Sequence, residues 1–152
     1  MRNLNLAGCG FEPVYGPEGT ASGLRGLIQM DEPQNRNEFL LNEQIEQRLG
    51  RAPAARYGLK VDLNIRQEGL AISGSNEIER FNIIGNAGFI LRDLSTNQPL
   101  LTDDVNTFIA YSASQQPVAT RAAERDAMER LMTALADKIV TQLLLNADQI
   151  PQ

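Results

Sequence analysis

Cys9, the one cysteine of the chain, is the residue whose surroundings indicate a definite chemistry. It follows the small-residue stretch Leu6-Ala7-Gly8, and a segment that contains several glycines and prolines comes after it. Small residues before a cysteine near the N-terminus are typical of a bacterial lipobox, in which a signal peptidase grips an extended chain. We therefore predict that Cys9 is acylated and becomes the first residue of the mature protein. A lone cysteine cannot form an internal disulfide. The alternative to acylation is therefore an ordinary free thiol.

The segment ahead of Cys9 is too short and too polar to be a complete signal peptide. A signal peptide has a basic start and an apolar core of roughly 7–15 residues, whereas Asn3 and Asn5 lie among the few residues that precede Cys9. We expect residues 1–8 to be the remnant of a signal peptide whose upstream part is missing. Residues 9–23, which are rich in glycine and proline, are then a lipidated tether.

Catalytic chemistry finds little support in the other residues. Histidine is absent, which removes the commonest general base and metal ligand, and acylation would occupy the cysteine. The neighbouring carboxylates Asp103 and Asp104 do not form a catalytic pair, because adjacent side chains of a strand point to opposite faces of the sheet. We therefore predict no enzymatic activity, no metal site and no cofactor.

The charged stretch Glu124-Arg125-Asp126 resembles an active-site helix, but its spacings also allow ordinary ion pairs on a helix surface. Glu124 lies three residues after Arg121, and Asp126 lies four residues before Arg130. Pairs at these spacings stabilise exposed helices. The simpler interpretation is a solvated helix face.

The length and charge of the chain narrow its possible partners. Its 152 residues suit one domain with a buried core. The 14 Lys and Arg against 19 Asp and Glu give a net charge of −5, so nucleic acid is not expected as the main partner. Lys60, Arg66 and Arg92 lie on predicted strands and are candidates to bind the phosphates of a glycolipid through charge-assisted hydrogen bonds. The alternative for each is a solvated side chain.

The periodicity of apolar residues divides the chain into six predicted elements, in the order strand, helix, three strands, helix. Asn35 and Glu38 resemble a capping box at the start of the first helix, and Gly50 ends it. A shift of the apolar phase around Gly69 indicates a bulge or a strand end. The first strand is predicted at 24–30 and the first helix at about 36–49. The second strand begins at Leu59, the third contains Ile83 to Leu91, and the fourth runs from about 100 to 112. The second helix is predicted at 117–145.

This order of elements predicts the fold class. A strand–helix–strand unit favours a parallel pair with a right-handed crossover, and three successive strands favour an antiparallel meander. Two helices with one apolar stripe each cover one face of the resulting sheet. We therefore predict an α+β fold, a two-layer sandwich of a mixed four-stranded sheet with two helices on one face (β-α-β-β-β-α). The predicted domain spans residues 24–147, and residues 148–152 form a C-terminal tail.

Two motifs, one near each end of the chain, and the long third and fourth strands carry a resemblance to a known family. The motifs are Cys9-Gly10-Phe11-x-Pro13-x-Tyr15-Gly16 and Tyr111-Ser112-Ala113-Ser114 running into Pro117-Val118-Ala119-Thr120-x-Ala122-Ala123-Glu124-Arg125-Asp126-Ala127. Together they resemble those of the lipopolysaccharide-assembly lipoproteins (LptE), particularly the alphaproteobacterial branch. The resemblance covers nearly the whole mature chain in element order.

The resemblance implies a non-enzymatic lipoprotein of the cell outer membrane that faces the periplasm. Such a protein would sit in the lumen of the β-barrel protein LptD as a plug and assembly factor, and would contact lipopolysaccharide. Cys9 corresponds to the acylation site of the family. The resemblance does not indicate which residues contact lipopolysaccharide. The prediction for Lys60, Arg66 and Arg92 is therefore based only on their charge and on the face of the sheet to which each points.

Two other functions stay open at this point. An auxiliary lipoprotein of a periplasmic lipid or solute ABC-type transport system would bind an inner-membrane complex instead of an outer-membrane barrel. A periplasmic hydrolase would need at least two carboxylates that act together, and the sequence offers no convincing pair.

Replacing the acylated residue tests the lipid anchor. We expect Cys9→Ala to release the protein from the membrane, because several acyl chains on one cysteine anchor a protein stably and the variant carries none. Fractionation of cells into membrane and soluble protein measures the release. A variant that still fractionates with the membrane would show that a protein interface, and not the lipid, retains the domain.

Overall fold

A computed structural model of the chain describes residues 23–72 and 78–151. Over these residues the elements follow the predicted order of strand, helix, three strands, helix. The four strands form one mixed sheet with the two helices on one side, so the α+β fold class is confirmed. The elements are β1 (Ile28–Met30), α1 (Arg36–Leu49), β2 (Tyr57–Ile72), β3 (Ile78–Asp93), β4 (Pro99–Ser112) and α2 (Pro117–Leu145), followed by a short 3₁₀ turn (Ala147–Gln149).

The strands lie in sequence order across the sheet. β1 runs parallel to β2 and pairs only with its first residues, Tyr57–Leu59. β2, β3 and β4 form the predicted antiparallel meander. The register between β2 and β3 shifts between Gly69 and Ala71 and again before Ile72, so the phase change in the sequence marks a bulge.

The register places apolar side chains of three strands in rows on one face. One row joins Leu59 of β2, Leu91 of β3 and Leu101 of β4. α2 lies over this face with its predicted apolar stripe, and every residue of the stripe is 0 % exposed. Burying each large member of the stripe stabilises the fold by about 1.5–3 kcal/mol. The stripe consists of Ala127, Leu131, Leu135, Ile139 and Leu143.

α1 begins at a capped N-terminus. The Asn35 Oδ1 accepts hydrogen bonds from the amides of Asn37 (3.0 Å) and Glu38 (3.1 Å). The Glu38 carboxylate accepts from the amide of Gln34 (2.6 Å), which lies one residue further back than the partner in a standard capping box. At the other end Gly50 takes a φ of 80°, which suits glycine and stops the helix. The predicted bounds of α1 are confirmed.

The predicted first strand is wrong over its first half. Residues 24–27 form a turn, and only β1 pairs with β2. Gly26 takes a φ of 71°, and its amide donates to the Leu49 carbonyl (2.8 Å) at the end of α1. Leu24 nevertheless enters the core at 0 % exposed, so the apolar alternation that predicts a strand here reflects the packing of a turn.

The chain after α2 packs against the start of β2. Ile150 is buried, and the Tyr57 hydroxyl donates a hydrogen bond to the Pro151 carbonyl. The segment that the sequence sets apart as a C-terminal tail, 148–152, therefore contributes a core residue to the domain.

Two glycines of β3 lie on opposite faces of the sheet. A Cβ on Gly85 would lie 2.8 Å from Leu135 Cδ1 and 3.2 Å from Leu131 Cδ2, so the absent side chain allows α2 to approach the sheet closely. A Cβ on Gly88 would meet nothing within 4 Å, because this position faces away from the helices. Packing therefore requires glycine at the first position and not at the second.

We expect Gly85→Val to destabilise the fold by about 1–3 kcal/mol, because the added atoms would overlap side chains that are fully buried. Gly88→Val is the matched control, since the same atoms enter open space on the same strand and valine favours strands. Urea denaturation followed by circular dichroism measures both free energies of unfolding. Equal losses in the two variants would contradict the close contact between α2 and β3.

Candidate functional site

Cys9, the predicted lipidation site, lies outside the described residues, and its acylation stays a prediction. Neither helix of the described chain combines the length and the apolarity that crossing a bilayer would require. Within residues 23–72 and 78–151, no three acidic, histidine or cysteine side chains gather closely enough to hold a metal ion.

The three predicted phosphate-binding residues lie on the open face of the sheet, which is the face turned away from the helices. Lys60 and Arg66 are exposed and lie six positions apart on β2, which corresponds to about 20 Å along a strand. Arg92, on β3, pairs across the sheet with Gly58, near the Lys60 end of the row. The three side chains therefore do not meet at one point.

Carboxylates interrupt this row of basic residues. The Arg66 Nε lies 3.1 Å from Glu68 Oε1, and both side chains are more than half exposed, so the pair contributes little to stability. Asp62 and Asp104 flank Gly88 in one row across the strands. The open face is thus of mixed charge and lacks the uniform positive potential that attracts a phosphate-rich ligand.

The middle of the open face holds a shallow depression of about 400 Å³, because Gly88 has no side chain. The row beside it consists of Asn64, Asn86 and Asn106, which offer neutral donors and acceptors. These groups suit water or hydroxyl groups better than a cluster of phosphates. The residues that line the depression include Lys60, Asp62, Ile90, Thr102 and Asp104.

Arg92 has a structural partner. Its guanidinium donates two hydrogen bonds to the Asp31 carboxylate (2.6 and 3.0 Å), and this interaction holds the pKa of Arg92 above its ordinary value. Gly58 lies between the two on β2, where a Cβ would come within 3.1 Å of the guanidinium. The glycine therefore lets Arg92 reach across β2 and hold the chain just after the short edge strand β1.

A second candidate surface lies between the two helices. The ion pair of Arg48 with Asp137 joins α1 and α2 near the end of α1. Toward the start of both helices they leave a groove of about 330 Å³, which we call the helix groove. Its lining residues include Arg36 and Leu40 of α1 and Arg121, Glu124, Arg125 and Met128 of α2. Arg36, Arg121 and Arg125 are called the groove arginines below.

The groove arginines form no ion pair with any described residue. The four ion pairs in the part of the chain that the structure describes all involve other basic residues. The predicted pair of Asp126 with Arg130 is confirmed, at 2.9 Å. The predicted pair of Glu124 with Arg121 is wrong, although the spacing would allow it.

The charge of Glu124 affects the pKa of Tyr111, a residue of β4. Burial raises the pKa of the Tyr111 hydroxyl above its ordinary value, and the negative charge of Glu124 raises it further. A hydrogen bond from Gln67 (2.6 Å) opposes this shift. Tyr111 also stacks on Phe81, with ring centroids 5.3 Å apart.

The sequence alone does not point to the helix groove. Arg121 and Arg125 share one face of α2 at a spacing of four residues, which is a visible signal. Arg36, however, lies on the other helix, and only the packing of α1 on α2 brings it to the same surface. The sequence prediction instead selects basic residues on strands, because alternation there indicates which side chains face outward.

Comparison with known families and structures gives two kinds of match. The sequence model of the LptE family, described as lipopolysaccharide-assembly, matches residues 27–143. No curated protein sequence gives a significant match.

Several solved structures share the fold. A candidate lipoprotein from Caulobacter crescentus has a TM-score of 0.72 and 24% identity, over 85% of this chain and 96% of the other. Rare lipoprotein B from Shewanella oneidensis has a TM-score of 0.58 and 9% identity, over 80% and 94%. Lipoprotein B from Nitrosomonas europaea has a TM-score of 0.59 and 13% identity, over 80% and 83%. Identities this low establish a shared fold and nothing further.

A double-mutant cycle tests the brace between Asp31 and Arg92. We expect Asp31→Asn and Arg92→Gln to show a coupling energy of roughly 1 kcal/mol or less, because both side chains are partly exposed and water weakens their attraction. The coupling should fall as sodium chloride is added, since salt screens such pairs. Thermal or urea unfolding of the four proteins gives the energies. Strict additivity of the two single changes at low salt would contradict the brace.

Proposed function

Because the chain belongs to the LptE family of lipopolysaccharide-assembly proteins, we propose that it is an outer-membrane lipoprotein that plugs and helps assemble an LptD-like β-barrel and binds lipopolysaccharide for insertion at the cell surface. The observation that carries this proposal is the extent of the family match. It runs from Leu27, just before β1, to Leu143, near the end of α2, and so includes every strand and both helices.

The proposed location follows from the lipid anchor. Acylation of Cys9 would hold the protein at the periplasmic side of the outer membrane, with residues 9–23 as the tether of a domain that begins at Leu24 and includes Ile150. A cysteine that carries several acyl chains anchors a protein stably, whereas a single chain gives only marginal attachment.

The proposed role is structural and not enzymatic. The residue pairing supports this, because Asp103 lies opposite Phe89 on the helix side of the sheet while Asp104 lies opposite Gly88 on the open face. The two neighbouring side chains therefore point to opposite faces, which disfavours joint action on one substrate. Lys60, Arg66 and Arg92 stay candidate contacts for lipopolysaccharide, supported by charge alone.

The edges of the sheet support a protein partner. In the described chain β1 covers only the first three residues of β2, and no strand pairs with the outer edge of β4. Exposed edges of this length present unpaired backbone donors and acceptors, which invite pairing with another chain. A site inside the lumen of a barrel would shield both edges from other copies of the protein.

Affinity purification from outer membranes tests the partner. We expect the tagged full chain, expressed behind a lipoprotein signal peptide, to purify with a large outer-membrane β-barrel protein in mild detergent. Depletion of the chain should lower the amount of lipopolysaccharide at the cell surface and of assembled barrel. The matched control is an unrelated outer-membrane lipoprotein with the same tag.

Two outcomes would contradict the proposal. A chain that purifies with an inner-membrane ATP-driven complex would support the auxiliary transporter function instead. A chain without a barrel partner, in cells whose surface lipopolysaccharide does not change on depletion, would rule out a role in lipopolysaccharide assembly.

A further inference from the structure

The helix groove is lined both by arginines and by apolar side chains. Three arginines line it from two helices, although the chain as a whole has a net charge of −5. The groove also contains two acidic residues, Glu124 and Glu129, so its local balance is one positive charge.

The chemistry of the groove arginines suits a phosphate group. A guanidinium is planar and always charged, and it donates two parallel hydrogen bonds to phosphate oxygens. None of the three pairs with a carboxylate among the described residues, unlike Arg66 and Arg92 on the open face. Unpaired guanidinium groups bind an incoming anion without first breaking an ion pair.

Apolar side chains lie beside these charges. Leu40 of α1 and Met128 of α2 line the groove and pack from there onto the hydrophobic core. Methionine adapts its shape to irregular apolar groups. Two strongly exposed apolar residues flank the groove, since Phe39 (58 % exposed) lies one turn after Arg36 and Val118 (82 % exposed) one turn before Arg121.

We infer that the helix groove binds the phosphorylated, acylated end of lipopolysaccharide, with phosphate on the groove arginines and the first part of an acyl chain against Leu40 and Met128. This inference rests on the proposed function and names the surface that would serve it. A groove of about 330 Å³ holds a phosphate and a short length of chain, and not a whole lipid with several chains. The rest of the lipid lies outside the groove.

A pair of matched double variants tests the inference. Arg121→Gln with Arg125→Gln removes two groove arginines, and Arg130→Gln with Lys138→Gln removes two positive charges elsewhere on α2. Glutamine keeps the helix, because its helix propensity is close to that of arginine and lysine. Circular dichroism and thermal unfolding confirm that both variants fold, and Arg36→Gln on α1 provides an independent groove variant.

The probe is a purified lipopolysaccharide with two phosphates and a short sugar core, titrated into the full chain in detergent and followed by calorimetry. We expect the groove variant to bind about tenfold more weakly or worse, since it loses two charge-assisted interactions. The control should stay within about twofold of the unaltered chain, because neither Arg130 nor Lys138 lines the groove and water and salt screen exposed charges outside it. The dephosphorylated and the deacylated forms of the probe should each bind the unaltered chain more weakly, and inorganic phosphate alone should not compete at the probe's concentration.

Several results would overturn the inference. Unchanged binding in the Arg121/Arg125 and Arg36 variants would exclude the groove, above all if Lys60→Gln with Arg66→Gln abolished binding, because the open face would then be the site. Competition by free phosphate at low concentration would indicate an anion site and no lipid site. Co-purification with the barrel is measured on the same variants. This measurement separates a result that contradicts binding in the groove from one that contradicts the proposed function.

Discussion

The close packing of α2 against one face of the sheet is the contact on which the rest of the structure depends. Leu131 and Leu135 reach so near to Gly85 that a Cβ there would lie 2.8 Å from a leucine methyl. This contact sets the distance between the two layers and encloses the core rows of β2, β3 and β4. Contacts with α2 position α1. The buried residues of α1 pack beside α2, and the ion pair of Arg48 with Asp137 joins the two helices.

One-sided burial explains the distribution of charge over the surface. The open face must remain compatible with water, so its rows carry asparagines, carboxylates and basic residues side by side. Two of its arginines are engaged, one by Glu68 on the same strand and one by Asp31 across β2. The helix groove differs because three arginines without an ion pair among the described residues line it, together with Glu124 and Glu129. On the open face, Lys60 is the one predicted phosphate-binding residue without such a pair.

Much of the fold follows from local pattern, and the error in the first strand has a clear physical cause. The bounds of α1 and α2 agree with the prediction because a cap, a glycine stop and an apolar stripe are all local signals. The strand predicted at 24–27 is a turn, since Gly26 bonds to the Leu49 carbonyl at the far end of α1. At residues 24–27, a contact distant in sequence therefore overrides a local preference. The predicted pair of Glu124 with Arg121 does not form, although its spacing would allow it.

The sequence by itself determined most of the elements and the face that each one buries, because periods of two and of about 3.6 residues fix which side chains share a face. The resemblance to the family came from the motifs near the two ends of the chain. The sequence also determined that Cys9 is the candidate for acylation. Only the tertiary structure decided which basic residues have partners and which gather at one surface. Arg92 reaches Asp31 because Gly58 has no side chain, and helix packing brings Arg36 to the same groove as Arg121 and Arg125. Such meetings depend on strand register and on the distance between layers, and no spacing within a single element encodes either.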